Sequence, residues 1–148
     1  MSEPKLTIEL VPRACWSQNV RTELSAVEWD VIRGAVYRFA EYSCDVCDKA
    51  TTKLHAHEVW GYSIRTKTQK LIGLQALCER CHEVKHFGRA SITGRGKQAR
   101  AHLRKINGWT EHEAQIYILE QFGEWELRSE IKHWKLDITY LKEFMEQI

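Results

Sequence analysis

The chain has 148 residues, and its 22 Lys or Arg against 20 Asp or Glu give a formal net charge of +2. Its 43% hydrophobic and 28% charged residues exclude a disordered or fibrous chain and predict one globular domain spanning residues 1–148. No apolar run approaches the roughly 18 residues that a membrane span needs, and the N-terminus lacks a signal-peptide pattern. We therefore expect a cytoplasmic protein without a membrane partner.

The first 42 residues predict a strand and a helix. Residues 5–10 alternate apolar and polar side chains, as in a short strand, and Pro12 would end it. Ser25 and Glu28 form a capping-box pattern that opens a helix running to about Tyr42. Its predicted apolar stripe comprises Val27, Val31, Tyr37, Phe39 and Ala40.

The middle of the chain predicts two strands and a short helix. Residues 53–60 form the first strand, and residues 70–77 the second, in which Gly73 permits a bulge. A helix follows over residues 79–87 and should end at Gly88. Together these elements make a compact ββα unit within residues 40–90.

Two helices and a strand are predicted in residues 91–148. A glycine-containing turn over residues 91–96 leads into a basic helix that Asn107 and Gly108 would end. A second capping box at Thr110 and Glu113 opens an amphipathic helix. Residues 135–141 alternate again, and this predicted strand could pair with residues 5–10. The expected fold class is α+β: a mainly helical domain around the ββα unit, with short terminal strands.

Four cysteines have the spacing of a zinc site. Cys44, Cys47, Cys78 and Cys81 form the pattern C-x2-C-x30-C-x2-C. In a reducing compartment such pairs indicate metal binding rather than disulfides. Four thiolates make a closed tetrahedral site, which predicts a structural zinc ion that joins the start of the ββα unit to the start of its helix and performs no catalysis.

The histidines around this motif suggest a second metal site. His82 and His86 stand four residues apart on the predicted short helix and therefore share one face. His57 on the facing strand is the candidate third ligand, which would leave positions open for water and a phosphate oxygen. The alternatives are that His82 and His86 are exposed histidines on a cationic helix, and that His57 and Glu58 only hydrogen-bond across the loop.

A block of positive charge follows the cysteine motif. Residues 85–105 contain seven Lys or Arg and no acid, whereas residues 111–148 contain nine acids against four Lys or Arg. This asymmetry is typical of a surface that binds a polyanion, although a solvated helix face would have the same composition. The candidate phosphate contacts are Lys85, Arg89, Arg95, Lys97, Arg100 and Arg104.

The order of these motifs resembles the zinc-ribbon subgroup of the HNH, or ββα-metal, endonucleases. The likeness covers residues 40–90 and lies in C-D-V-C, L-H-A-H-E-V-W and L-C-E-R-C-H-E-V-K-H. It implies one catalytic divalent ion held between the first strand and the helix, and hydrolysis of DNA phosphodiester bonds. Aligned on this pattern, His57 takes the metal position, Glu58 the position of the general base, and Gly73 that of the family's middle Asn.

The resemblance implies a specific division of roles. His57, His82 and His86 would hold Mg²⁺, Mn²⁺, Ni²⁺ or Zn²⁺, and Glu58, or alternatively His55, would deprotonate the attacking water. DNA is the expected partner, with RNA as the alternative substrate. Two other readings stay open: a zinc-ribbon nucleic-acid-binding module whose catalytic site has lapsed, and a protein–protein adaptor.

Overall fold

The computed structural model describes residues 3–148, and within that range the chain forms seven α-helices and one three-stranded sheet. This confirms the α+β class. The helices are Val20–Glu23 (α1), Ala26–Phe39 (α2), Glu79–Lys85 (α3), Phe87–Ile92 (α4), Gly96–Asn107 (α5), Glu111–Ser129 (α6) and Tyr140–Glu146 (α7). The strands are Leu54–Ser63 (β1), Thr68–Cys78 (β2) and Lys135–Asp137 (β3), and a single 3-10 turn covers Arg13–Cys15.

A long antiparallel hairpin of β1 and β2 forms the centre of the domain. Val59 pairs with Gly73 and Trp60 with Leu71, so Ile72 has no opposite residue and makes a bulge. The sequence predicts a bulge at Gly73, and the structure places it at the neighbouring residue, Ile72. Both strands extend further than predicted, because only residues 64–67 are needed for the turn between them.

The predicted strand at residues 5–10 is wrong, and so is its pairing with the C-terminus. The predicted strand at residues 135–141 is also shorter, because β3 ends at Asp137 and α7 begins at Tyr140. β3 runs parallel to β2, with Lys135 opposite Thr68. The alternating apolar residues Leu6 and Ile8 are buried, as a strand pattern requires. Their backbone, however, is held by side chains. Asn107 Oδ1 accepts from the Leu6 amide at 3.0 Å, and Asn107 Nδ2 donates to the Leu6 carbonyl at 2.8 Å.

The two predicted capping boxes are confirmed. Ser25 Oγ accepts from the Glu28 amide at 3.1 Å, and Glu28 Oε1 accepts from the Ser25 amide at 3.0 Å. Thr110 and Glu113 make the same exchange at the start of α6. Because short-range hydrogen bonds determine both helix starts, they are readable from the sequence.

The predicted apolar stripe of α2 is wrong at three positions, since Val27, Val31 and Phe39 are exposed at 74%, 51% and 52%. The buried face is formed by Trp29, Ile32, Ala35 and Val36. These residues also recur at helical spacing, so two overlapping stripes compete in the sequence. Only the packing partner of the helix decides between them.

The short helix after the hairpin does not end at Gly88. It ends at Lys85, and α4 begins at once and contains Gly88. A Cβ at this position would lie 3.3 Å from Leu10 Cδ2, so the glycine permits close packing against the N-terminal segment rather than stopping a helix. The predicted turn at residues 91–96 is accordingly shorter, because α4 extends to Ile92 and α5 begins at Gly96.

Two apolar clusters lie on either side of the hairpin. One joins α2 and α7 to the sheet, and it includes Ile32, Leu71 and Phe144. The other joins the N-terminal segment to the cysteines, α3, α5 and α6. Among residues 3–148 no helix combines the length and apolar character that crossing a membrane requires.

Candidate metal centres

Four cysteine sulfurs meet where β2 runs into α3. Cys78 ends β2, Cys81 lies in the first turn of α3, and Cys44 and Cys47 come from the turn after α2. All four sulfur atoms lie within 4.8 Å of one another, and those of Cys47 and Cys78 are 3.7 Å apart. A tetrahedral zinc ion with Zn–S bonds near 2.3 Å separates its sulfurs by about 3.8 Å. The cluster can therefore hold a metal ion such as zinc, as the spacing predicts.

The surroundings of Cys44 favour the thiolate form of this cysteine. Burial raises the pKa of Cys44, but the backbone amides of Cys47, Cys78 and Val46 outweigh it and lower the pKa overall. Burial and the neighbouring sulfurs raise the pKa of Cys81. All four sulfurs can thus be thiolates together only when a cation lies among them.

Helix α5 contributes a side chain that the sequence did not reveal. His102 Nε2 lies 3.2 Å from Cys81 Sγ, close enough to donate an N–H···S hydrogen bond. Such partners outside the ligand shell orient metal ligands and reduce the charge on them. His102 stands 21 residues after Cys81, within the basic block. No local spacing signal points to it.

Three imidazoles form a second cluster beside the first. One nitrogen from each of His57, His82 and His86 lies within 4.8 Å of the others, and the Nε2 atoms of His82 and His86 are 3.0 Å apart. His57 is buried, His82 is half-buried and His86 is exposed. Burial, followed by the neighbouring histidines, lowers the pKa of His82 to about 3, so its ring is neutral near pH 7. A neutral ring keeps a lone pair available for a metal.

The N-terminal segment reaches this second cluster. Glu9 Oε1 lies 3.2 Å from His57 Nε2, and Glu9 Oε2 lies 2.8 Å from Lys85 Nζ. Burial raises the pKa of Glu9, but the hydrogen bond to His57 and the charges of His57 and Lys85 lower it overall. Glu9 and His57 are 48 residues apart, and nothing in the sequence near Glu9 suggests the contact.

The two candidate bases, His55 and Glu58, lie in different surroundings. The ring of His55 stacks on that of His82, with centroids 4.8 Å apart, so it shares the strand face of His57. The carboxylate of Glu58 accepts from the Val20 amide at 3.4 Å and from Trp60 Nε1 at 3.2 Å. Burial raises the pKa of Glu58.

Gly73, which the resemblance to HNH endonucleases aligns with an Asn, lies opposite Val59. Gln75 lies directly opposite His57 in the hairpin and so shares its face. The Oε1 atom of Gln75 is buried and has no hydrogen-bond partner among residues 3–148. Gln75 is thus the amide side chain available beside His57.

Most of the predicted phosphate-binding cations are already paired. Arg95 contacts Glu83, and Arg100 and Arg104 both contact Glu111. Lys85 is 4% exposed, and besides Glu9 its Nζ donates to Thr7 Oγ1 at 2.7 Å. The two remaining members, Arg89 and Lys97, are exposed and have no ion-pair partner among residues 3–148.

A cavity of about 630 Å³ opens beside the histidines. It is lined by all three imidazoles, by Glu9 and Glu58, and by residues of β1 as far as Tyr62. Arg21 and Arg89 also line it. Its volume is within the range of small-ligand sites.

Comparison of the chain with protein-family models, with curated proteins and with solved structures found no match.

Proposed function

We propose that the chain is a metal-dependent endonuclease of the HNH type that hydrolyses DNA phosphodiester bonds. The observation that carries the proposal is the convergence of His57, His82 and His86, whose ligand atoms lie within 4.8 Å of one another beside a cavity. The imidazoles come from a strand and from the helix that directly follows the hairpin, which is the order that the resemblance implies. The clustered thiols suit a reducing compartment such as the cytoplasm.

The donor set fits a divalent cation. Three neutral imidazoles suit Zn²⁺, Ni²⁺ or other transition metals and leave the full charge of the ion for a phosphate. A divalent ion held there would act as a Lewis acid toward a phosphate oxygen. Glu9, held by Lys85, fixes the ring of His57, while the cysteine cluster fixes the start of α3 and hence the direction of His82.

Either Glu58 or His55 takes the proton of the attacking water. The raised pKa of Glu58 makes its carboxylate a better proton acceptor near neutral pH than an ordinary one. His55 has the advantage of position, because it lies on the same strand face as His57 and against His82. Assaying Glu58→Gln and His55→Ala side by side identifies the base, since removing it should depress turnover without changing metal affinity.

Supercoiled-plasmid nicking with added Mg²⁺, Mn²⁺ or Ni²⁺ tests the proposal. The most informative variant is His86→Ala, because this ligand is exposed and its removal should leave the fold intact. His112→Ala is the matched control, an exposed histidine on α6 outside both clusters. We expect wild type and His112→Ala to nick and His86→Ala to fail. Equal nicking by all three would refute the proposed site.

The second candidate is a zinc-stapled nucleic-acid-binding module whose catalytic site has lapsed. The hydrogen bonds that tie the Glu58 carboxylate to Val20 and Trp60 favour it, because they engage the group in the family's base position. Metal analysis separates the two candidates. The nuclease should hold one tight zinc ion and a second, exchangeable ion that His86→Ala abolishes, whereas the lapsed module should hold only the first.

A further inference from the structure

Resting on the proposed nuclease function, we propose that the substrate strand lies in the cavity along β1, with its phosphates on Arg21 and Arg89, and not across the basic face of α5. We call this cavity, lined by the three histidines and by β1 up to Tyr62, the β1 cleft. The occupant is a polynucleotide strand, single-stranded or locally unpaired. Arg21 lies outside the basic block, so the sequence pattern did not select it.

Charge pairing separates the two surfaces. On α5, Arg100 and Arg104 already share Glu111, and Arg95 at its N-terminus is bound to Glu83. A phosphate that approaches these arginines must displace a carboxylate or meet its repulsion. Arg21 and Arg89 have no ion-pair partner among residues 3–148, so both guanidinium groups are free to bind an anion.

The β1 cleft places both free arginines beside the histidines. Arg21 follows the N-terminal residue of α1, and its guanidinium lies over the Trp29 ring at 5.1 Å. Arg89 is on α4, three residues after His86, and lines both this cavity and a smaller one next to His55. Two cations from different helices thus line the cleft beside the histidine cluster, where both can bind phosphates of the same nucleic-acid strand.

The size of the cleft suits more than one phosphate. It extends along β1 from His57 to Tyr62, about 16 Å at roughly 3.3 Å per residue. A phosphate at the histidines therefore leaves room for at least the adjoining nucleoside. Trp16, with its side chain 65% exposed, supplies an aromatic face at the rim on which a base can stack.

The acidic residues of the cleft do not cancel its positive charge. Glu9 is matched by Lys85, and Glu124 lies 3.8 Å from Arg128. The carboxyl group of Glu58 is the remaining negative charge, against two unpaired guanidinium groups. The cleft therefore attracts an anion, most strongly where Arg21 and Arg89 flank the imidazoles.

Fluorescence anisotropy with a labelled single-stranded oligonucleotide tests this path. The protein carries one equivalent of zinc, which the cysteine cluster takes up, and no further zinc or other divalent ion is added, so the strand is bound without cleavage. Arg21→Gln and Arg89→Gln should each weaken binding several-fold at about 50 mM salt and reduce the salt slope by about 0.7. Arg21→Lys keeps the charge and should retain the slope. Lys97→Gln removes an exposed, unpaired cation outside the cleft, and Arg100→Gln a paired one; both should bind nearly as wild type does.

The outcomes separate this inference from the proposed function. If Arg21→Gln and Arg89→Gln lose binding while wild type never nicks a plasmid, the strand path stands and the nuclease assignment fails. If wild type nicks DNA, and Arg100→Gln loses affinity while both cleft variants bind normally, the strand path is overturned and the nuclease assignment stands. Displacement of the oligonucleotide by polyglutamate of equal charge would also overturn it, because the cleft would then be a site for acidic peptides.

Discussion

Lys85 is expected to stabilise the fold and to contribute little to binding of nucleic acid. Its side chain is 5% exposed and its Nζ lies 2.8 Å from Glu9 Oε2, whose side chain is 24% exposed. Breaking a buried ion pair from one side leaves an uncompensated charge, which costs about 3–5 kcal/mol. Because Glu9 is partly exposed to water, the cost of Glu9→Gln should fall at the lower end of this range. We therefore expect a loss of about 3 kcal/mol in the free energy of unfolding.

Replacing Lys85, the other partner of the ion pair, is expected to lower the free energy of unfolding by less. Lys85→Met leaves the Glu9 carboxylate in contact with His57 and partly with water, so the loss should be about 1–2 kcal/mol. The double variant leaves no unpaired charge at this position and should lose only about 2 kcal/mol, which makes the coupling energy about 2–3 kcal/mol.

Urea unfolding of the zinc-loaded protein, followed by tryptophan fluorescence, measures all three variants against wild type. The slope of the unfolding free energy with urea should stay constant, which would show that only stability has changed. Under conditions in which it is folded, the Lys85→Met variant should bind the oligonucleotide as tightly as wild type does. Weakened binding with an unchanged unfolding free energy would refute this reasoning and return Lys85 to the phosphate contacts that the sequence suggested.

Two further predictions concern the cysteine cluster and the glycines. His102→Ala should accelerate zinc release by a thiol-alkylating reagent, because the Cys81 sulfur loses its hydrogen bond and becomes more nucleophilic. A chromogenic zinc indicator measures the rate of release. An unchanged rate would exclude the hydrogen bond between His102 and Cys81. Gly108→Ala should destabilise by about 1–2 kcal/mol because Gly108 has a φ of +66° at the end of α5. Gly123→Ala, at an open position within α6 where a Cβ meets nothing within 4 Å, should instead stabilise by up to about 1 kcal/mol, and thermal melts compare the two. Equal effects of the two substitutions would contradict the assigned helix end.

Local patterns in the sequence predicted what local forces determine. The cysteine cluster follows from two C-x2-C pairs, and the starts of α2 and α6 follow from capping residues three positions apart. His82 and His86 share a helix face because they stand four residues apart. The helix starts and the shared face of His82 and His86 need no knowledge of the distant chain, and the cysteine cluster needs only its own spacing pattern; the structure contains all of them.

Features that depend on distant partners escaped prediction. Residues 5–10 have the alternation of a strand, but the partners of their backbone include Asn107, about a hundred residues away. Glu9 approaches His57 only because this segment docks there. The stripe on α2 was misassigned for the same reason, since two apolar faces compete until the hairpin buries one. In the same way, the sequence suggests that Arg100 and Arg104 of the basic block are unpaired, whereas the fold brings Glu111 into contact with both.

The docking of the N-terminal segment has a consequence for synthesis of the protein. Lys5, Leu6 and Ile8 are made before the side chains that bind their amides, namely Asn107, whose Oδ1 accepts from the Lys5 and Leu6 amides, and Tyr117, whose hydroxyl accepts from the Ile8 amide. A nascent chain that ends before Asn107 carries both C-x2-C pairs, all three imidazoles and Lys85, but it lacks the Asn107 and Tyr117 side chains that accept from the Leu6 and Ile8 amides. Docking of the N-terminal segment beside the histidine pocket is therefore complete only after Tyr117 has been translated.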